Sequence, residues 1–347
     1  MALAATRLDP YRLAYERSNL DAWEHRMSQY GAYATFMNDT ENLIPGYNEL
    51  TQNRTSPVRT VSIPVIQRKD FTTASVRTCS AQTHELTSAY VTPSWTTIKT
   101  GFNMVPAQYN NNYISYQAAF NNKMQHLERA FLEALDTAAH TALNTNKAQT
   151  NNAAGNPYTV VANDMIVPAA DNQLFLNELG PIFAANDLPQ DNINIVSSPR
   201  FQALVREYSA QGTSNAENRA FQFGGYNFAY SNRVTVATGD RDSVYAMPVG
   251  SLAFLNWVDI DAQMGHNSTD GKEWSTFFLP RVGIQVGVLY QSTCSNEGVG
   301  DGARATGLEA TLEESWMFSF DYSFNVAYNS SAATLPGNVY KSRLSLT

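Results

Sequence analysis

The last long hydrophobic segment of the chain alternates strictly between apolar and polar residues. Apolar side chains occupy every second position, with small or polar residues between them: Trp316, Phe318, Phe320, Tyr322, Phe324, Val326 and Tyr328. A period of two predicts a β-strand with one buried face, and at ~3.4 Å per residue this strand is about 44 Å long. Because the usual strand has roughly 5–6 residues, the pattern predicts an unusually long strand with an aromatic face.

A second long pattern lies in the middle of the chain and has helical spacing. Its apolar residues follow steps of three and four: Tyr116, Phe120, Met124, Leu127, Phe131, Leu135, Ala138 and Ala142. This spacing places them on one stripe of an α-helix, and Ser115 is the predicted N-cap. About 30 residues at ~1.5 Å each give a length of about 45 Å. The helix and the strand are therefore predicted to have similar lengths.

These two segments are predicted to pack side by side, because two long apolar faces bury each other fully only when they run together. The segment "RVGIQVGVLY" alternates in the same way and supplies a second long strand. At ~25 cal/mol per Å² of buried apolar surface, this packing is the largest stabilising feature in the sequence. We predict an α+β fold with a long spine helix on a narrow antiparallel sheet. Its structural seam comprises Leu127, Phe131, Leu135, Trp316, Phe318, Phe320, Tyr322 and Phe324.

The remaining patterns divide the chain into regions. Residues 1–50 are polar and are predicted to form an arm. Residues 51–112 contain two alternating segments, "RTVSIPV" and "TIKTGFNM", and are predicted to form an extended hairpin. Residues 113–155 and 276–347 form the lobe with the spine helix. Residues 156–275 mix helical and strand patterns and are predicted to form an inserted α/β lobe.

The predicted hairpin is basic, whereas the rest of the chain is acidic. Residues 51–100 contain six basic residues and two acidic ones, a net charge of +4. Because the whole chain has a net charge of −8, the rest of it carries −12. We predict that the hairpin docks on the acidic body of another copy, since complementary charges set the register of such contacts. A solvated charged loop and a nucleic-acid contact are the alternatives. The candidate contact residues are Arg54, Arg59, Arg68, Lys69, Arg77 and Lys99.

Residues that could take part in catalysis or bind a metal are present but scattered along the sequence. The two cysteines, Cys79 and Cys294, are far apart, and the five histidines share no metal-binding spacing. A calcium site at Asp259, Asp261 and Asp270 is an alternative to ordinary turns. We therefore predict no catalytic residue, no metal, no cofactor and no enzyme activity. Charged residues near the N-terminus and the absence of any run of 18 apolar residues argue against a secretory signal and a transmembrane helix.

The order of these regions resembles the major capsid proteins of tailed double-stranded DNA bacteriophages, which have the Hong Kong 97-type fold. The resemblance lies in "TIKTGFNMVPAQYNNNYIS" followed by "MQHLERAFLEALDTAAHTALN", and in "NIVSSPRFQALVRE". In that family's terms, residues 1–50 correspond to the N-arm and 51–112 to the E-loop. Residues 113–155 with 276–347 correspond to the peripheral domain, and 156–275 to the axial domain.

The resemblance implies a homo-oligomeric icosahedral shell of pentamers and hexamers in the virion, made in the host cytoplasm. It also implies portal, scaffold and decoration proteins as partners, and enclosed DNA that is not bound sequence-specifically; the net negative charge agrees with the last point. Two alternatives stay open at this stage. One is an encapsulin-like compartment shell, and the other is a β-rich glycan-binding or tail-associated virion protein.

Overall fold

The structure of the chain is a computed structural model. It describes residues 8–13, 29–43, 63–66, 88–91, 93–109, 114–147, 157–186, 188–190, 192–212, 225–258, 272–294, 312–327 and 337–346.

The described helices include the predicted spine. They are α1 (Gly31–Leu43), α2 (Tyr116–Thr145), α3 (Phe175–Ala185) and α4 (Phe201–Gly212). Residues 8–13 are also helical, and 3-10 turns lie at Pro106–Tyr109 and Ala169–Asp171. The long helix is confirmed as α2, which has 30 residues. Its N-cap is also confirmed, since Ala118 N donates to Ser115 Oγ at 3.2 Å.

The described strands form three sheets. In chain order they are β1 (Ile63–Ile66), β2 (Ser88–Val91), β3 (Thr96–Met104), β4 (Thr159–Val161), β5 (Asp164–Val167), β6 (Ile193–Ser197), β7 (Tyr226–Tyr230), β8 (Asp240–Pro248), β9 (Leu252–Trp257), β10 (Lys272–Leu279), β11 (Ile284–Cys294), β12 (Leu312–Val326) and β13 (Tyr340–Ser345). Strands β1 and β2 pair with each other. A five-stranded sheet has the order β10-β11-β12-β3 with β9 also paired to β12, and a six-stranded sheet has the order β4-β5-β13-β8-β6-β7. The α+β fold class is confirmed.

Strand β12 is the predicted long strand and the centre of the five-stranded sheet. It has 15 residues, which at ~3.4 Å each span about 50 Å. Strand β3 covers one edge of β12. The other edge is shared, because β11 pairs with residues 312–319 and β9 pairs with residues 321–326. All of these pairs are antiparallel, as predicted for a narrow antiparallel sheet.

Helix α2 contacts both large sheets. Its first two thirds pack on the five-stranded sheet, where Phe131 meets Phe320. Near its C-terminus, His140 lies against Tyr245 of β8 in the six-stranded sheet. The opposite face of the six-stranded sheet packs on α3 and α4 in a separate core cluster that includes Phe183 and Phe201. The spine helix therefore connects the two halves of the molecule.

The predicted region boundaries differ from the sheet topology at three strands. Strand β9 lies within the region predicted as the inserted lobe, but it extends the five-stranded sheet because its apolar residues, such as Phe254, face the core of that sheet. Strand β13 belongs to the region predicted as the spine lobe, yet it lies between β5 and β8 because its alternate residues Tyr340 and Leu344 fill the other core. Strand β3 was assigned to the hairpin and instead pairs along β12.

Helix α1 lies within residues 1–50, the region predicted to form an arm, and packs into the main core. Ala32, Tyr33 and Phe36 on this helix are at most 1% exposed and belong to the main core. The polar composition of α1 gave no sign of its burial, because the partners of its buried polar residues lie elsewhere in the fold. In the hairpin region, the strand at "IPVI" pairs with Ser88–Val91 and not with "TIKTGFNM".

The burial pattern of β12 changes halfway along the strand. Up to Phe320 the buried positions alternate as predicted, with Trp316 and Phe318 fully buried. Beyond it, Tyr322, Phe324 and Val326 are half-buried against the core, while residues of the other face are also buried: Asp321, Ser323 and Asn325. Both faces of this half are therefore covered. Tyr328, the last residue of the predicted ladder, lies outside the described residues.

Candidate functional site

The seam between α2 and β12 is the main packing feature of the molecule. The ring centroids of Phe131 and Phe320 are 5.2 Å apart, and those of Phe120 and Trp316 are 5.1 Å apart. The structure places all eight predicted seam residues in one core cluster, six of them buried and Tyr322 and Phe324 partly buried. Aromatic pairs at such distances stabilise by about 0.5–1.5 kcal/mol beyond their area burial.

A buried carboxylate on the spine helix holds the start of α1. Asp136 is 0% exposed and accepts hydrogen bonds from Tyr33 N at 3.0 Å and from Ser231 Oγ at 2.5 Å. Because the first N–H groups of a helix have no partner within the helix, a carboxylate at this position satisfies them and complements the helix dipole. Burial raises the pKa of Asp136, while these hydrogen bonds oppose the rise. Asp136 thus joins α1, α2 and the end of β7.

A second buried carboxylate on α2 holds residues 8–13. Glu128 is 0% exposed; Tyr11 Oη donates to its Oε2 at 2.5 Å, and Arg281 Nε lies 3.1 Å from the same oxygen. Burial raises the pKa of Glu128 to about 7, and the hydrogen bond from Tyr11 and the charge of Arg281 counter that rise. This cluster ties the N-terminal segment and the turn after β10 to the spine helix.

A third buried carboxylate lies on α1 and faces the turn between β8 and β9. Asp39 accepts hydrogen bonds from Gly250 N at 2.7 Å and Leu252 N at 2.8 Å. The next residue, Thr40, accepts one from Phe254 N at 2.9 Å. Helix α1 is therefore fixed at its start by α2 and near its end by β9. This double attachment explains why a polar helix is part of the core.

The C-terminal end of α2 meets the six-stranded sheet in a polar cluster. Lys147 Nζ lies 2.5 Å from Asp164 Oδ1, and Lys341 Nζ lies 3.2 Å from Asp164 Oδ2. Asn144 Oδ1 accepts hydrogen bonds from Lys341 Nζ and Tyr245 Oη, both at 3.2 Å. We name these five residues the spine-end cluster. His140 Nε2 lies 3.2 Å from Tyr245 Oη at its border.

An open cleft of about 690 Å³ lies at one end of the six-stranded sheet, between the start of α4 and the segment before β8. Its wall includes Ser198, Arg200, Asn232 and Asp240. The segment "RVTVAT" is irregular and lines the cleft. Nearby Asp242 is buried, and burial raises its pKa to about 6 although hydrogen bonds from Ser198 oppose this.

Five of the predicted contact residues lie outside the described residues: Arg54, Arg59, Arg68, Lys69 and Arg77. Lys99 is described and is exposed on β3, on the face of the sheet away from α2. That the six residues form one contact surface therefore stays a prediction. Asp259, Asp261 and Asp270 also lie outside the described residues.

Within the described part of the chain, no group of three His, Cys, Asp or Glu side chains could hold a metal ion. None of the helices described is both long enough and apolar enough to span a membrane. Of the two histidines on α2, His126 is exposed and His140 is half-buried. Burial and the neighbouring charge of Lys341 lower the pKa of His140.

The buried carboxylates were not predicted from the sequence. Glu128 and Asp136 lie eight residues apart on α2, directly beside the apolar stripe, and Leu132 between them is also buried. This line of positions widens the buried face of the helix. Acidic residues on the border of a stripe are usually read as solvent-exposed, so only their common spacing with Leu132 could have indicated burial.

Comparison with known proteins gave matches only among solved structures. No family model matches the chain, and no curated protein matches it. A structure titled "Cyanophage Pam1 capsid asymmetric unit" is 13% identical and covers 90% of this chain and 92% of its own, with a TM-score of 0.49. "Capsid of Ralstonia phage GP4" is 9% identical, with coverages of 83% and 84% and a TM-score of 0.48. "Mycobacterium phage Che8" is 11% identical, with coverages of 89% and 90% and a TM-score of 0.47.

Proposed function

We propose that this chain is the subunit of an icosahedral shell that encloses the double-stranded DNA genome of a tailed bacteriophage. The observation that carries the proposal is the seam, in which the 30-residue α2 lies along a narrow antiparallel sheet centred on the 15-residue β12. This is the arrangement that the resemblance to Hong Kong 97-type capsid proteins implies. A long two-layer body with a second compact sheet at one end is suited to tiling a curved surface with copies of itself.

In this proposal the five-stranded sheet with α2 is the peripheral domain, and the six-stranded sheet with α3 and α4 is the axial domain. Strands β9 and β13 cross between the predicted regions, so both domains are built from distant parts of the chain. Of the predicted E-loop, residues 51–112, the part before β3 extends over a neighbouring copy, while β3 itself belongs to the five-stranded sheet. Pentamers and hexamers form by contacts between copies, and portal, scaffold and decoration proteins complete the virion.

The charge distribution supports a shell that encloses DNA without gripping it. The net charge is −8, and the basic excess of residues 51–100 leaves −12 on the rest of the chain. A protein that neutralises DNA phosphates needs a basic surface. We propose that the basic residues of the hairpin contact acidic surface on the adjacent copy, so that charge complementarity sets the register of assembly.

The test is expression of the full chain and examination by negative-stain electron microscopy and light scattering. Pentamers, hexamers or closed shells are expected. A variant with Arg59, Arg68 and Lys69 replaced by glutamine should fold but assemble poorly. The matched control replaces three basic residues that are exposed outside the hairpin, Arg129, Arg200 and Arg206, and should assemble like the wild type.

The two parts of the proposal fail separately. If the wild-type chain stays a monomer or trimer even at high concentration and low salt, the shell function is wrong. If the hairpin variant forms shells as readily as the control, the shell function stands and the docking role of the hairpin is wrong. Circular dichroism spectra of both variants establish that they are folded.

A further inference from the structure

The spine-end cluster places an amine, an amide and a carboxylate in contact inside the protein. We propose that Lys341 and Asn144 form an intramolecular isopeptide bond, which covalently joins the C-terminal strand β13 to the end of the spine helix. The proposal concerns bonding within one copy of the chain. It does not depend on the shell function proposed above.

The register of the six-stranded sheet builds one side of this site. Lys341 on β13 pairs with Asp164 on β5 and with Tyr245 on β8, so the three side chains stand side by side on the face towards α2. Their neighbours on β13, Tyr340 and Ser342, point to the opposite face, where Tyr340 belongs to the other core. The last turn of α2 supplies Asn144 from above.

The reacting groups are already in contact. Lys341 Nζ lies 3.2 Å from Asn144 Oδ1 and 3.2 Å from Asp164 Oδ2. Two donors, Lys341 Nζ and Tyr245 Oη, converge on the same atom of Asn144, which identifies that atom as the carbonyl oxygen. The site is also largely closed to solvent, because Tyr245 is 0% exposed and the side chains of Lys341 and Asp164 are 13% and 10% exposed.

The charges of the cluster favour the neutral amine form of one of its two lysines. Two ammonium groups, Lys147 and Lys341, share the single carboxylate of Asp164. Burial lowers the pKa of Lys341, and the charges of Lys147 and Arg343 lower it further, against the opposing effect of Asp164. A desolvated lysine next to other cations is the usual form of a nucleophilic amine. Conversion of Lys341 to an amide would leave Lys147 and Asp164 as a balanced pair.

The reaction needs no group from outside the cluster. Asp164 accepts a proton from the Lys341 ammonium, and the lone pair of the free amine attacks Cγ of Asn144. The carbonyl electron pair moves to Oδ1, where the Tyr245 hydroxyl donates a hydrogen bond, as in other acyl transfers. One proton passes from the attacking nitrogen to the leaving nitrogen and the Cγ–Nδ2 bond breaks. Ammonia leaves and takes up the proton held by Asp164, so the products are the amide and one ammonium ion.

Intact-mass spectrometry of the denatured full-length protein tests the proposal. The wild type is expected to be lighter than its sequence mass by one ammonia, and a protease digest should contain a branched peptide joining residues 144 and 341. K341R removes the nucleophile but keeps the charge, and N144D removes the amide leaving group. Both variants should have their full sequence mass. The control K123R changes a lysine that donates only to a main-chain oxygen, Asn103 O at 2.6 Å, and should keep the mass loss.

A wild-type protein at full sequence mass overturns the proposal, and this result does not depend on whether any variant folds. Loss of ammonia that persists in K341R also overturns it, because ring closure of an asparagine onto its own main chain gives the same mass change. The branched peptide separates the two reactions directly.

Discussion

The contact between Phe131 and Phe320 offers the sharpest test of the seam. Both residues are at most 3% exposed, and their ring centroids are 5.2 Å apart at an interplanar angle of 60°. The perturbation is replacement of each by leucine, singly and together. Leucine keeps most of the apolar volume, so each single change should cost about 1–1.5 kcal/mol of unfolding free energy.

The two changes should not be additive. The edge-to-face contact of the rings contributes about 0.5–1.5 kcal/mol beyond area burial, and it is lost as soon as either ring is replaced. The double variant should therefore be less destabilised than the sum of the single variants by about that amount. The measurement is a double-mutant cycle from urea unfolding of the unassembled subunit.

The matched control pairs Phe131→Leu with Phe183→Leu. Phe183 is 0% exposed but belongs to the core between the six-stranded sheet and α3, where its ring lies against Tyr340. This second cycle should be additive within about 0.5 kcal/mol, as for distant sites. Equal additivity in both cycles would show that α2 and β12 do not pack together, and the basis of the shell proposal would be lost.

Three further predictions concern single residues. Because its raised pKa means that folded Glu128 holds its proton up to about pH 7, unfolding free energy should fall as pH rises from about 4.5 to about 7; E128Q should flatten this dependence, and an unchanged slope by urea titration would contradict the burial of the carboxyl. A Cβ at Gly101 would overlap the Trp316 carbonyl oxygen, so G101A should lower the melting temperature, whereas G180A, at a helical glycine with room for a methyl group, should change it little or raise it. D136N should cost about 1–3 kcal/mol because it weakens a charged acceptor for the start of α1; equal stability by urea unfolding would contradict that role.

The long elements could be predicted because their patterns are local. The stripe on α2 and the alternation on β12 each extend over many residues, and a continuous apolar face permits one secondary structure and one buried side. The side-by-side packing of α2 on β12 could be predicted because the two elements have similar lengths. The alternation did not predict that the other face of β12 is also buried at residues 321–325, because that burial depends on contacts with residues distant in the sequence.

Short elements with distant partners could not be placed. Strands β13 and β9 have six residues each, and each pairs in the sheet of the other predicted region. Their alternation predicts a strand but contains no information on which sheet edge receives it. Helix α1 was missed for the complementary reason. Its polar residues looked solvent-exposed, but Asp39 and Thr40 are satisfied by main-chain N–H groups more than 200 residues away.

The apolar seam and the buried carboxylates have different roles in holding α2. A shift of α2 by one helical turn, about 5.4 Å, would give each aromatic ring of the seam a different partner. Such a shift would separate Asp136 from Tyr33 N and Ser231 Oγ, and Glu128 from Tyr11. Buried carboxylates without hydrogen bonds cost several kcal/mol each. The aromatic seam therefore buries the apolar face of the spine helix, and the carboxylates add contacts that exist in only one register of the helix against the N-terminal segments and the end of β7.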